Sequence, residues 1–568
     1  HFTLRTNFGL DARFNYNKIF VPVFEVSAIQ RNEENRLTNN TNRSRNWLWE
    51  NTLSYNRDWG VHHLDGVVGL TYQDNFGEFL NGSRENLIGE DPNFFYLNAG
   101  EPLTSLASNG AFSDWGLVSY LGRINYVYDG RYLITFSGRV DGSSRFGEEN
   151  RYGFFPSFGL GWNISNEAFW NPDGIVSRLK LRGSWGQTGN DQIGDYPYTA
   201  LIESGFGAVF GPNEDLNQGS TLDDLANPGV RWEETTQVDI GMELGLFENK
   251  FLLEVDAYRR ETDGVLFAAA IPDYLGANAP VQNISEVLNE GIDVHVEWRE
   301  VKPGFQYSLG ANLSFINNEV LKVDDLDSDL FAGGLGIGGQ LGTNSRAGFP
   351  IGAFYGFELD GVFQNEEELE RFPNFGTQQP GDLRFRDQNG DGVITAADDR
   401  VVLGSPIPDL TLGINGSVAF KGFDFSFDLT GQFGNEIINA KKMARFGAYN
   451  FETSFLDRWT GEGTSNTEPR VTFAGPNIET LSSRFIEDGS YIRLRNVQLG
   501  YTLPAAIVQR LRLRSFRVYV SGTNLWTDQE FSGYNPEIFN GSVFDSGIDR
   551  GSIYPIARTI TVGLDVQF

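Results

Sequence analysis

Residues 423–433, FDFSFDLTGQF, place Phe423, Phe425, Phe427, Leu429 and Phe433 on one side of an extended chain. Asp424, Ser426, Asp428, Thr430 and Gln432 fall on the other. A period of two marks a β-strand, because successive side chains of a strand point to opposite faces. The closing segment ITVGLDVQF repeats the pattern, with Ile560, Val562, Leu564, Val566 and Phe568 against Thr561, Asp565 and Gln567. FLLEVDAY does the same, with Phe251, Leu253, Val255 and Ala257 against Glu254 and Asp256. A soluble sandwich shows such alternation over about five or six residues. Here it runs to about ten and recurs along the whole chain, with aromatics crowding the strand ends. That length and polarity predict a transmembrane antiparallel β-barrel, the closed form in which strands satisfy their backbone groups in lipid. Phe425, Phe427, Val562 and Leu564 should then face lipid, and Asp428 and Asp565 the lumen.

The connections give a second signal. Sixteen long strands can be read, and the joints between them alternate between short and long. Short joints stand at 57–63, 128–132, 246–252, 299–305 and 420–424, with two longer ones near 166–178 and 503–512. Between them lie 16–45, 75–113, 188–232, 261–286, 317–408, 436–489 and 526–555, and a shorter 141–153. Outer-membrane barrels have short periplasmic turns and long extracellular loops. Phe568 therefore ends the last strand on the periplasmic side, and 317–408 is an extracellular loop.

Composition excludes several classes. There is no cysteine, so no disulfide or thiol chemistry, and no uncharged stretch reaches the 18 residues of a membrane helix. A net charge of −31 argues against nucleic acid as a partner. The chain opens on His1 without a signal peptide, which suggests a mature or truncated piece of something longer.

DQNGDGVITAADD, residues 387–399, has the spacing of an EF-hand calcium loop. Asp387, Asn389, Asp391, Thr395 and Asp398 occupy positions 1, 3, 5, 9 and 12, Gly392 allows the sharp turn, and Val393 offers its carbonyl. Position 12 is Asp rather than Glu, and neither flank reads as a long helix. The alternative is an Asx-rich surface turn. The 317–408 loop holds 16 acidic and 6 basic residues, about a third of the chain's excess negative charge, which calcium would relieve. A structural calcium clip at 387–398 is therefore expected, rather than a sensor.

Other motifs carry nothing. Gly334, Gly336 and Gly339 have the G-x-G-x-x-G spacing, but no helix or βαβ unit surrounds them. His62 and His63 follow a tight turn and point to opposite faces of a strand, as edge residues rather than ligands. Asp324 and Asp325 could imitate a glycosidase dyad, but scattered loop carboxylates are usually solvated charge. No catalytic constellation is present in the sequence.

Several stretches, in order, resemble SusC/RagA-type TonB-dependent outer-membrane transporters. They are YLITFSGRVDGSSRFGEENRYGFFPSFGLGWNISNEAF (132–169), LKLRGSWGQTGN (179–190), NPGVRWEETTQVDIGMELGLF (227–247), NEGIDVHVEW (289–298), the segment 381–435 and SYIRLRNVQLGYTLP (490–504). The resemblance implies a barrel of twenty-two strands with an N-terminal plug. Counted back from the family's last strand, residues 1–568 would supply about sixteen strands, the C-terminal portion, with the plug domain absent. It also implies a place in the bacterial cell outer membrane among its lipid, energy through the TonB complex by way of the missing N-terminal region, and a SusD-like lipoprotein outside. The cargo would be an oligosaccharide or peptide. A passive, porin-like channel of sixteen strands is the alternative, and a loop-borne enzyme has nothing catalytic to support it. Lumen aromatics such as Tyr258 could stack on sugars, but girdle or packing roles are commoner.

Overall fold

In the computed structural model the described residues are 1–27, 30–200, 202–212, 215–222, 225–268, 276, 278, 280–324, 329–337, 339–444, 452–472 and 474–568. Sixteen long strands among them pair in chain order as one sheet. They are β1 Phe2–Val21, β2 Arg36–Trp59, β3 His62–Glu85, β4 Leu106–Tyr128, β5 Tyr132–Ser143, β6 Tyr152–Asn163, β7 Val176–Asn190 and β8 Glu233–Leu246. The rest are β9 Phe251–Ala268, β10 Val281–Lys302, β11 Phe305–Lys322, β12 Leu410–Phe420, β13 Phe423–Phe433, β14 Tyr491–Thr502, β15 Ser515–Gln529 and β16 Thr559–Gln567. Contacts divide the chain into two compact units. One holds 1–160, 184–236 and 264–283, the other 161–183, 237–263 and 284–568.

The register follows the alternation. Phe425, Leu499, Val520 and Val562 lie side by side across β13 to β16. Asp565 lies beside Arg517, and Asp428 beside Asn496, on the opposite face. The apolar side chains are uncovered: Val562 is 74% exposed and Leu564 64%. A large bare apolar face is an aggregation hazard in water and the normal outer surface of a strand in lipid.

Two expectations need correction. The strands are longer than the apolar pattern marks, so the connection expected at 75–113 narrows to 86–105 and that at 16–45 to 22–35. Beyond the apolar stretch, polar side chains continue the ladder. Arg36 pairs with Glu85 and Arg43 with Glu78, partners in the β2–β3 register. The second correction concerns the fold class. Instead of a plugless part of a twenty-two-stranded barrel, the chain forms an all-β fold whose sheet of sixteen antiparallel strands runs from Phe2 to Gln567. The larger count came from the resemblance, whereas the spacing of these residues specifies sixteen long strands and short accessory sheets.

Candidate functional site

In the second unit, three long connections, 323–409, 434–490 and 530–558, fold on one another. Strands Leu330–Gly334, Leu341–Ser345, Ala353–Phe357 and Arg400–Gly404 make a sheet of four, and Leu359–Val362 pairs with Leu383–Phe385. Gly336 and Gly339, at φ +77° and +72°, turn the chain between the first two of these strands, a left-handed backbone that glycine takes freely. The glycine spacing therefore serves a hairpin, not a phosphate.

These loops hold the deepest apolar burial in the second unit. Leu335, Phe354, Ile438, Met443, Phe485 and Ile548 form one core. Phe357, Val362, Leu383, Phe385 and Ile394 form another. Buried polar groups tie the segments together. Asp382, 3% exposed, accepts from Arg470 Nε at 2.7 Å, Asn477 Nδ2 at 2.9 Å and the Gln379 amide at 2.9 Å. Glu487 accepts from Lys442 Nζ at 2.6 Å and the Ser532 amide at 2.8 Å. Burial alone would raise the pKa of Glu487, but the bonds from Lys442, Ser532 and Asn439 outweigh it and hold the group below the usual carboxylate value. Glu537 is likewise lowered: burial opposes, while Tyr491, Arg493 and the Arg495 charge prevail. Glu436 is raised, first by burial and then by the charges of Asp409 and Asp488.

The candidate calcium loop lies in this body, between Leu383–Phe385 and Arg400–Gly404, with a strand rather than a helix on either side. Its first half is wound by its own Asx bonds. Asp387 accepts from the Gly390 and Gly392 amides at 2.7 and 2.8 Å, Asn389 from the Asp391 amide at 3.0 Å, and Asp391 from the Val393 amide at 2.9 Å. Bonds from Asn389 and Val393 hold the Asp391 pKa below its ordinary value. The second half does not converge on the first. Asp398 Oδ2 accepts from the Thr395 hydroxyl at 2.9 Å, and among the described residues no group of three or more His, Cys, Asp or Glu side chains is gathered as a metal needs. A residue the spacing does not single out closes the loop. Asp399, fully buried, accepts from the Gln388 and Thr395 amides at 2.8 and 2.7 Å, stapling both limbs.

On the polar face, two ion pairs skip a strand. Arg182 of β7 reaches over Gly241 of β8 to Asp256 of β9, with Nε–Oδ1 at 3.0 Å and Nη2–Oδ2 at 2.5 Å. Arg517 of β15 reaches over Gly500 of β14 to Asp424 of β13 with Nε–Oδ1 at 3.0 Å. A Cβ on Gly241 would lie 2.0 Å from Asp256 Oδ1, and one on Gly500 2.5 Å from Arg517 Nη2. Beside the first pair, buried Glu243 of β8 receives Lys180, Arg182 and Arg178. Tyr258 packs over Gly291, whose Cβ would lie 2.7 Å from the phenol oxygen. His62 Nδ1 lies 2.6 Å from Tyr126 Oη, and His63 Nδ1 lies 2.6 Å from Asp58 Oδ1, each on its own face. Asp325 lies outside the described residues.

A family model described as TonB dependent receptor-like, beta-barrel matches residues 1–525. The chain belongs to that family. TonB-dependent receptor P3 of Formosa agariphila is 35% identical to this receptor chain, over 92% of it and 52% of the relative. TonB-dependent receptor SusC of Bacteroides thetaiotaomicron is 31% identical, over 80% of this chain and 44% of the relative. The chain thus spans about half the length of the curated relatives it matches. A structure of the RagAB peptide transporter superposes with a TM-score of 0.84 over all of this chain and 60% of that one; at 23% identity it speaks for the fold. As a TonB-dependent receptor barrel the protein is an outer-membrane protein.

The stretch GRVDGSSRFG of this receptor acquires a physical reading in the first unit. Asp141 accepts from Arg139 Nε at 2.6 Å, and the Ser143 hydroxyl donates to Asp191 at 2.7 Å. Arg145 lies over the Trp115 ring at 4.6 Å and bonds Asp195 at 3.2 Å. Phe146, fully buried, packs with Phe155, Val230 and Trp232. The motif is a junction binding β4, β5 and the loop after β7. Sequence pattern alone marks it as distinctive without saying why, because its partners lie about 50 residues away.

Proposed function

We propose that this receptor chain is the sheet and loop portion, towards the C-terminus, of an active importer. It would carry a bulky nutrient, an oligosaccharide or a peptide, across the bacterial outer membrane. The observation that carries this reading is the loop body. Three long connections at one end of β11 to β16 build cores of their own, whereas the opposite joints, such as 303–304 and 421–422, are minimal. Loops usually carry function on a rigid scaffold, and this scaffold gives them a fixed platform. Leu456, Tyr534 and Phe539, at 79%, 70% and 70% exposed, stand out from that body as anchors for a partner or cargo. The long-loop end would be the extracellular one, and a SusD-like lipoprotein would sit on it, the partner that the resemblance to SusC/RagA-type transporters implies. Energy would come from the TonB complex across the periplasm, as the names of the relatives imply. The test is uptake of labelled oligosaccharides and peptides by cells carrying the intact gene, with and without TonB. Uptake should fall to the level of cells lacking the gene when TonB is removed. Undiminished uptake would favour a passive, porin-like channel.

The 387–398 loop is proposed as a calcium clip in this body. Asp387, Asn389, Asp391 and the Val393 carbonyl would supply the first oxygens, Thr395 would act through water, and Asp398 would complete the set by turning away from Thr395. Calcium added to the purified, chelator-stripped protein should slow amide exchange across 317–408 and leave the sheet strands unchanged. Asp387→Ala should abolish that response. A calorimetric titration showing no heat, with exchange unaltered, would leave the loop as an Asx turn stapled by Asp399.

A further inference from the structure

The apolar face of the first unit carries a groove that its own packing does not explain. The groove has a volume of about 530 Å³ and is open along one side. Its lining holds three strand glycines, the open Gly66 of β3 and Gly122 of β4, and Gly138 of β5, where a Cβ would lie 3.2 Å from the Phe154 ring. Its walls include Tyr120, Phe136 and Phe154, each more than half exposed. Glycine inside a strand is unfavourable and commonly marks a bulge, a tight bend or the close approach of another molecule. No bulge falls here, since the register runs unbroken through Val68–Gly122–Gly138 and through Tyr55–Gly66–Ile124–Phe136. Nor does local crowding demand glycine. A Cβ on Gly66 would find its nearest neighbour at 3.6 Å and one on Gly122 at 4.0 Å, both ordinary contacts. Side chains were sterically allowed at these two positions, and the surface is hollow instead.

The rows on either side define what the hollow fits. Two residues nearer the short turns, the same face presents Arg57, beside Leu64, Tyr126 and Ile134. Arg57 is exposed, and no hydrogen bond or ion pair holds it among the described residues. One row further stands an aromatic shelf of Trp59, His62, Tyr128 and Tyr132, in which Trp59 stacks on His62 at 5.5 Å. Aromatic shelves of this kind mark the membrane–water boundary, and a basic side chain just inside one meets the headgroup layer. Apolar groove, free cation and boundary aromatics follow one another along about 13 Å of strand, at roughly 3.3 Å per residue.

We propose that this groove is a binding site for one phospholipid, with an acyl chain laid on the glycine floor and the phosphate on Arg57. Phospholipid rather than lipopolysaccharide follows from the site's place at the short-turn end. That assignment rests on the orientation given under the proposed function. A guanidinium offers a phosphate two parallel hydrogen bonds, which gives the headgroup a defined seat rather than a diffuse attraction.

The test is native mass spectrometry of the full protein released from outer membranes in mild detergent, with the retained lipid identified by dissociation. The wild type should keep one phospholipid. Gly122→Leu, which fills the floor, should lower retention roughly tenfold. Arg57→Gln, which removes the phosphate's seat, should weaken phospholipid retention on re-addition while leaving the acyl contact. Gly66→Val, on another strand, serves the same purpose if Gly122→Leu fails to insert, and the electrophoretic heat shift of the folded sheet reports insertion for each variant. Equal retention by the filled and open grooves, or no lipid on the wild type, would overturn the site. A dimer displacing the lipid would do so too. Lipopolysaccharide as the retained lipid would overturn the phospholipid and the orientation together, yet leave TonB-dependent uptake standing. Loss of uptake dependence on TonB would not touch the lipid result.

Discussion

Asp382→Ala should open the loop body while the sheet stays folded. Asp382 lies where the Leu359–Val362/Leu383–Phe385 pair meets the segment around Asn477, and its carboxylate answers Arg470, Asn477 and the Gln379 amide at once. Removing one partner of a buried pair costs about 3–5 kcal/mol, because the other is left desolvated and unanswered. The Arg470 side chain keeps 32% of its surface in water, so screening brings the expected loss to about 2–3 kcal/mol. That is enough to open a loop body locally, since sub-global opening draws on less stability than the whole fold. Amide exchange should quicken at 359–385 and 470–479, and limited proteolysis should cut there, while strands β12 to β16 keep their protection. Asp382→Asn, which keeps the shape and one acceptor, should lie between the two. Unchanged exchange in Asp382→Ala would mean that the hydrophobic cores alone hold the body.

Gly241→Ala is expected to destabilise the sheet by about 1 kcal/mol, the low end of overpacking, because the atoms it meets are the ends of movable side chains. Its single added carbon would stand 2.0 Å from Asp256 Oδ1 and 2.6 Å from Arg182 Nε, so the ion pair across β8 must part or the strand must shift. Gly66→Ala is the internal standard, because its nearest neighbour would be at 3.6 Å and its effect should be small. The decisive measurement is a double-mutant cycle by urea titration in detergent. With Asp256→Ala already present the alanine has room, and its cost should largely vanish. An equal cost in both backgrounds would show that Gly241 serves the backbone of β8 rather than the pair above it.

Much of the sheet was legible because a strand half in lipid must alternate with period two. Phe425, Val562 and Leu564 lie on the apolar face for that reason, and the short joints were marked by tight Gly and Asp turns such as YDGRY. The strand ends were less legible. Beyond the lipid no apolar signal is needed, and cross-strand partners such as Arg43 and Glu78 carry the pairing silently. Tertiary chemistry in the loops was hidden for a different reason. Asp382 meets a partner 88 residues away and Arg550 reaches the Gly334 carbonyl across 216, separations at which local pattern says nothing. The calcium spacing named Asp387, Asn389 and Asp391, which the structure winds together, but it also named Asp398, which turns to Thr395. It passed over Asp399, because a calcium loop has no ligand at a thirteenth position. The glycine ion-pair crossings could have been sought as a strand glycine on the polar face with opposite charges on its two neighbours, had the register been known.

The distances in chain that the loop body bridges also set a timetable. The Thr343 hydroxyl donates to the Phe544 carbonyl at 3.0 Å, and Ile548 completes the core around Phe354. The first contact cannot exist until the chain 201 residues beyond Thr343 has been delivered. Bringing such distant segments together costs loop-closure entropy first and is rewarded only afterwards, which makes the step slow. These contacts are therefore expected to form late, after strands β11 to β15 have offered them a base. Until then apolar segments such as AFYGF at 353–357, buried once the body is complete, lack their cover. Apolar surface left open in this way is prone to aggregate, so the sooner 530–550 docks, the shorter the hazard.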